Sequence, residues 1–131
     1  MIEFLVDTDW AADYLKGKED AVQLLSPLIG ERRLGMSIIS YAELWEGVLG
    51  SPRQEVYRSA LADLVAGVPV LGLDRETAEV FGGVRADLRR QGKLIPDLDL
   101  LIAATALRHD LTVVSRDEHF RRVPGLKLHG A

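Results

Sequence analysis

The sequence predicts a single α/β domain built on a mainly parallel sheet. Two observations support this: strand-like runs alternate with helical patterns, and 131 residues give one domain a substantial core but are too few for two. No repeat, low-complexity segment or linker interrupts residues 1–131. In such a sheet, ligands bind beyond the carboxyl ends of the strands, near a switch in strand order, so those ends are where chemistry is sought.

Strand-like runs occur at Glu3–Val6, Leu34–Ile38, Pro69–Leu73, Thr112–Ser115 and Leu126–Leu128. Between the first two, an apolar pattern spans Ala21 to Ile29, and Pro27 either kinks one helix there or separates two. Ser51-Pro52 reads as an N-cap followed by proline at the first helical position, with Gln54 three residues after the serine. Val56, Ala60, Leu61, Leu64 and Val65 then fall on one helical face. Asp74 is placed to cap the next helix, whose buried face is predicted as Ala78, Phe81, Val84 or Arg85, and Leu88. Gly82-Gly83 inside that helix costs about 1 kcal/mol per glycine relative to alanine, which predicts a close packing contact there. His109-Asp110-Leu111 ends a helix and opens a strand without glycine, which puts Asp110 in the left-handed conformation.

An apolar fraction of 47% and a charged fraction of 27% are those of a soluble globular protein. There is no cysteine, which excludes disulfides, thiolate metal sites and a cysteine nucleophile, and fits a reducing compartment. Glu3 interrupts the apolar Met1–Val6 segment, no basic stretch precedes it, and Leu100–Leu107 is too short to span a membrane. The expected location is cytoplasmic, with no membrane association. The net charge of −4 argues mildly against a nucleic-acid partner, except where carboxylates hold divalent cations that offset it.

Acids recur where the predicted strands end or helices begin: Asp7-Thr8-Asp9 after the first, Glu43 in the helix after the second, Asp97 and Asp99 in Pro96–Ala104, and Asp117 after the fourth. Any one of them is more often a cap than a ligand: Asp7, Asp97 and Asp117 sit at expected N-caps, and Ser40-x-x-Glu43 is a formal capping box. Four such positions all carrying acids is the stronger observation. Mg²⁺ and Mn²⁺ take oxygen ligands, a nuclease uses such ions to activate water and offset charge on phosphate, and carboxylates crowded without cations repel one another.

The segments LVDTDW, ISYAELWEGV, IPDLDLLIAATAL and LTVVSRDEHFRRVPGLKL, in this order, resemble the VapC branch of PIN domains over essentially the whole chain. The resemblance implies a three-layer α/β/α fold, a homodimer, Mg²⁺- or Mn²⁺-dependent cleavage of RNA, and inhibition by a cognate antitoxin. Matched residue by residue, it puts the acidic site on Asp7, Glu43, Asp99 and Asp117, with Ser115 hydrogen-bonding inside it and Thr8 in support. Similar proteins often carry Asn or Ser at position 9; Asp9 is therefore either a further ligand or a helix-start acid. Asp97 is taken as the N-cap ahead of Asp99.

Arg85, Arg89 and Lys93 form a helical stripe, either a solvated face or a phosphate track, and Arg116 is the best single candidate for a phosphate contact. Trp10, Tyr14 and Trp45 are read as packing residues rather than base-stacking platforms. His109, His119 and His129 lack metal-ligand spacing and are assigned no chemistry, and no G-x-S-x-G elbow marks a serine hydrolase. The competing readings are a phosphorylated receiver-like signalling module, with Asp74 at the end of a middle strand, and a PIN domain that binds RNA without cutting it. Carboxylate–metal chemistry also leaves DNA open as a substrate.

Overall fold

The computed structural model describes residues 1–130. The chain runs β1 (Phe4–Val6), α1 (Thr8–Leu15), α2 (Glu19–Gly30), β2 (Leu34–Ser37), α3 (Ile38–Leu49), α4 (Gln54–Gly67), β3 (Val70–Leu71), α5 (Arg75–Gln91), α6 (Asp97–His109), β4 (Thr112–Val114), a 3₁₀ turn (Glu118–Arg122) and β5 (Lys127–His129). The five strands form one all-parallel sheet in the order β3-β2-β1-β4-β5. From β1 the chain moves outward to β2 and β3, then returns to the other side of β1 for β4 and β5. The switch in strand order therefore lies between β1 and β4.

Side chains alternate across the sheet and divide the core into two layers. Val6, Leu34, Met36 and Val114 pack with Trp10, Ala11, Leu25, Leu44, Val48, Leu61 and Leu64 of α1–α4. Leu5 and Val113 face the other way, onto Leu88 of α5, Leu100, Ile102, Ala103 and Ala106 of α6, and Phe120 of the 3₁₀ turn. This is a three-layer α/β/α architecture.

Several local expectations hold. Asp74 caps α5, with its Oδ1 accepting from the Thr77 N–H at 2.7 Å. Asp110 ends α6 at φ 55°, ψ 48°, doing the work that Gly92 does at the end of α5. Pro27 lies within one continuous α2, in its last turns.

Others are corrected. Ser51 is not the cap of α4; it lies before the helix, accepting from the Arg53 N–H at 3.0 Å, while Gln54 reaches back to the Leu49 carbonyl. The α4 face shifts accordingly: Val56 is exposed, and the half-buried Tyr57 precedes Leu61 and Leu64 on the inner side. On α5 the inner face begins at Thr77 rather than Ala78. Thr77 is fully buried because its hydroxyl and N–H both satisfy Asp74 Oδ1, so burial leaves no polar group unpaired. Asp97 is the first residue of α6, with Pro96 at the cap position, and its carboxylate pairs with Arg85 at 3.0 Å. Pro69 lies outside β3 yet serves the sheet, its carbonyl accepting from Met36 N–H at 2.9 Å.

The close contact expected at Gly82-Gly83 is absent: both glycines are exposed, and a Cβ added at either meets no atom within 4 Å. Both lie in α5 without a left-handed φ. Gly82→Ala and Gly83→Ala should each therefore stabilise the protein by about 1 kcal/mol, read by urea unfolding. A loss of stability would show that another surface packs on this stretch of α5.

A candidate metal centre at the strand switch

The centre is set by the register of β1 and β4. Val6 pairs with Val114, so the next residues, Asp7 and Ser115, leave the sheet side by side. Asp7 N–H donates to the Val114 carbonyl at 3.0 Å, holding the two exits together. Ser115 Oγ donates to Asp7 Oδ2 at 2.7 Å and accepts the Asp117 N–H at 2.9 Å, so one buried hydroxyl orients two acids. The other Asp7 oxygen takes the Thr8 N–H at 2.8 Å, at the start of α1.

Asp99 reaches the same edge from the first turn of α6. Among the described residues, Asp99, Asp117 and His119 form the group whose potential ligand atoms all lie within 4.8 Å of one another. Asp7 and Glu43 fall outside that tight group but are tied to it. Asp7 is electrostatically coupled to Asp99 and Asp9. Glu43 is joined through Thr8, whose Oγ1 lies 2.7 Å from Glu43 Oε1 and 2.9 Å from Ser40 Oγ. Thr8 has one hydroxyl proton. Donating it to the carboxylate leaves Ser40 to donate in turn.

The capping reading of Glu43 does not survive. α3 begins at Ile38, and its cap is Ser37, whose Oγ accepts from the Ile39 N–H at 3.0 Å. Ser40 and Glu43 sit inside the helix, one turn apart, and face Thr8. Asp117 does cap, accepting the His119 N–H at 2.9 Å at the start of the 3₁₀ turn, while its carboxylate also faces His119 Nδ1 at 3.2 Å.

Burial and like charge make the centre unfavourable for free anions. Burial pushes the Asp7 carboxyl up to about 6, against its hydrogen bonds from Ser115 and Thr8, with Asp9 and Asp99 adding repulsion. Asp99 is also raised, chiefly by burial and then by Asp117 and Asp9, while its hydrogen bond to His119 opposes the shift. Asp9 is exposed, yet its charge is felt by both buried acids. Hard divalent cations fit this donor set of anionic oxygens, since a cation would offset the repulsion that the hydrogen bonds leave.

The basic residues are placed unevenly. Arg116 turns back onto α1, pairing with Asp13, lying 3.8 Å from Asp20 and 4.0 Å above the Trp10 ring. That contact holds the Asp13 carboxyl below the usual carboxylate range. Arg85 is engaged by Asp97, whereas Arg89 and Lys93 are exposed on and just beyond the end of α5. Trp10 is buried, and Trp45 packs edge-on against Tyr41 beneath Arg58, in keeping with packing roles. His119, set aside on spacing, stands in the middle of the acids. Its contact with Asp99 spans two elements, and no local pattern announces it.

The fold and centre define a class: a parallel three-layer α/β/α protein with a carboxylate cluster at its strand switch. The PIN domain family model matches residues 4–126, and the chain belongs to that family. It is 30% identical over 129 residues to Ribonuclease VapC2 of Haemophilus influenzae, covering 97% of this chain and 96% of that protein. It is 29% identical over 128 residues to the tRNA(fMet)-specific endonuclease VapC of Shigella flexneri, covering 97% and 96%. Among solved structures, DNA-bound VapBC from Salmonella typhimurium superposes with a TM-score of 0.89 at 27% identity, over 98% of both chains. VapBC2 from Rickettsia felis, bound to a promoter DNA fragment, gives 0.88 at 27% identity over 98% of both.

The Asp7 environment predicts a pH dependence. A raised carboxyl means that the folded state holds the proton more tightly than the unfolded one. This contribution is fully present below the usual 3.8 and is lost as pH rises through about 6. The shift corresponds to roughly 3 kcal/mol as an upper bound. With chelator present, Asp7→Asn should therefore melt above the wild type at about pH 7, and the difference should vanish near pH 4. A variant less stable than wild type at neutral pH would make Asp7 a purely structural cap.

Proposed function

We propose that the protein is a metal-dependent endoribonuclease that hydrolyses RNA phosphodiester bonds at a centre formed by Asp7, Glu43, Asp99 and Asp117. Mg²⁺ or Mn²⁺ would be its metal, and Asp9 an outer contributor. The observation that carries this reading is the gathering, in a PIN-family chain, of carboxylates at one strand switch, where burial and like charge raise the carboxyls of Asp7 and Asp99 and Asp99 stands with Asp117 in one tight group. A bound divalent ion would supply an activated water and offset charge developing on the phosphate. The chain's own part is positional. Ser115 fixes Asp7 and the Asp117 backbone, Thr8 and Ser40 fix Glu43, and α6 presents Asp99.

The names of the relatives support RNA, and tRNA in particular, as the substrate class. The VapBC complexes on which the chain superposes support a toxin–antitoxin role with a cognate antitoxin as protein partner, and a homodimer and a cytoplasmic location complete the proposal. Among the described residues, no helix is long and apolar enough to cross a membrane. An apolar cleft of about 360 Å³, lined by Ala12, Leu15, Leu44, Val48 and Tyr57, opens beside Thr8 and Glu43. A partner segment seated there would reach the centre. RNA approaching the same edge would meet Arg89 and Lys93 first, because Arg85 and Arg116 are paired with Asp97 and Asp13.

The alternatives have less to stand on. A receiver-like module needs its acceptor aspartate on a central strand, but Asp74 follows the edge strand β3, caps α5 and lies 3.7 Å from Arg108. A PIN domain that only binds RNA has no use for carboxylates held in so unfavourable an environment.

The test is incubation of total RNA and purified tRNA with Mg²⁺ or Mn²⁺, with and without chelator, followed by mapping of the cut ends. Cleavage should require metal. Glu43→Gln should fold normally, because Ser37 caps α3 and an amide oxygen still accepts from Thr8. It should lose cleavage at least about a hundredfold, since even outer-shell partners of a metal typically matter 10–100-fold. Near-wild-type cleavage by Glu43→Gln would remove Glu43 from the centre, and metal-independent cleavage would remove the mechanism.

A further inference from the structure

We propose that His119 is a protein ligand of the cation, binding through Nδ1 beside the carboxylates of Asp99 and Asp117. This rests on the reading of the centre as a metal site and adds a nitrogen donor to an otherwise all-oxygen set.

Three observations carry it. First, Nδ1 lies 3.1 Å from Asp99 Oδ2 and 3.2 Å from Asp117 Oδ1. Ligands at adjacent corners of an octahedron with bonds near 2.1 Å stand about 3 Å apart, so Nδ1 already has that spacing from each oxygen, and the three residues' ligand atoms all lie within 4.8 Å of one another. Second, the ring is held there by the backbone. The His119 N–H donates to Asp117 Oδ1 at 2.9 Å, and the neighbouring Phe120 is fully buried, which fixes the 3₁₀ turn on both sides of His119. Third, the ring stays open to solvent and to an incoming ion: its side chain is 42% exposed, and the polar contacts of its ring are the two aspartates.

With its proton on Nδ1, the ring would donate to Asp99 Oδ2 at 3.1 Å and face Asp117 Oδ1. When the cation enters, the Nδ1 lone pair takes that place, and the ring proton resides on Nε2, which is the tautomer a metal-bound imidazole requires. A nitrogen donor changes selectivity. Mg²⁺ is bound mainly through oxygen, whereas first-row transition ions gain from imidazole, increasingly along the series from Mn²⁺. His119 therefore biases the centre toward Mn²⁺ and later ions relative to Mg²⁺.

The experiment uses the intact protein loaded with Mn²⁺ alone. Pulsed electron paramagnetic resonance should detect a histidine nitrogen coupled to the metal, and histidine carrying the heavy nitrogen isotope should change that signal in the wild type without any mutation. His119→Ala should abolish the coupling although His109 and His129 remain. Titration calorimetry should show Mn²⁺ binding weakened about tenfold, and Mg²⁺ binding by about twofold or less. Mn²⁺ bound without any histidine coupling, or equal weakening for both ions, would overturn His119 as a ligand while leaving the carboxylate centre standing. A wild type that binds no Mn²⁺ would overturn both.

Discussion

The structure depends on one shared hydroxyl, that of Ser115, at the point where β1 and β4 release the chain. It gives its proton to Asp7 and takes the N–H of Asp117. Asp7 thereby stays oriented although burial and two neighbouring acids oppose its ionisation. This works only because β1 and β4 are parallel and in register through Val6 and Val114. A slip of one residue would turn the following side chains to the opposite face of the sheet and separate the two exits. The strand order, the division of the core into two layers and the location of the centre follow from that pairing.

The parts of this arrangement that are local in sequence were legible there. Short apolar runs marked all five strands, Asp74 and Asp110 announced their helix ends, and the acids at strand exits indicated the edge where chemistry gathers. Ambiguity remains where two local readings have the same letters. Ser37 and Ser40 both precede a helical stretch, and only the start of α3 at Ile38 decides that Ser37 caps while Ser40 faces Thr8. Polarity points to Ala78 rather than Thr77 as the buried residue, because a hydroxyl counts as polar until its partner, the Asp74 carboxylate, is known. Gly82 and Gly83 depart in the opposite sense: a residue costly to a helix predicts a close neighbour, and the surface there is open. His119 meets Asp99 only through tertiary packing of the 3₁₀ turn against α6, and no spacing rule reaches that far.

Charge explains how an acidic chain serves a polyanionic substrate. Two arginines that could have met phosphate, Arg85 and Arg116, are spent on the protein itself. Arg116 stacks on Trp10 and pairs with Asp13, bracing α1 against the β4 exit, and Arg85 holds the first turn of α6 through Asp97. Both contacts stiffen segments that carry acids of the centre, Asp117 beside Arg116 and Asp99 two residues after Asp97. The attraction for phosphate would then come largely from a bound cation, which would offset the charge of the carboxylates around it. Metal occupancy would thus govern substrate binding as well as chemistry.

Protons and a bound cation would compete for the same oxygens. With the Asp7 carboxyl raised to about 6, the metal-free centre at neutral pH holds an ionised buried acid that destabilises the fold. A cation relieves that penalty, so part of its binding free energy appears as stability by linkage. The hydrogen bonds from Ser115 and Thr8 set the balance. They make ionised Asp7 tolerable enough to stay anionic near neutral pH, but not so comfortable that a metal has nothing to gain. A stronger set of donors would make the empty centre stable and the cation dispensable, whereas fewer would leave Asp7 protonated and unable to bind. The two donors found are the Ser115 hydroxyl and the first helical N–H of α1, and both are placed by the same β1–β4 register that brings the acids together.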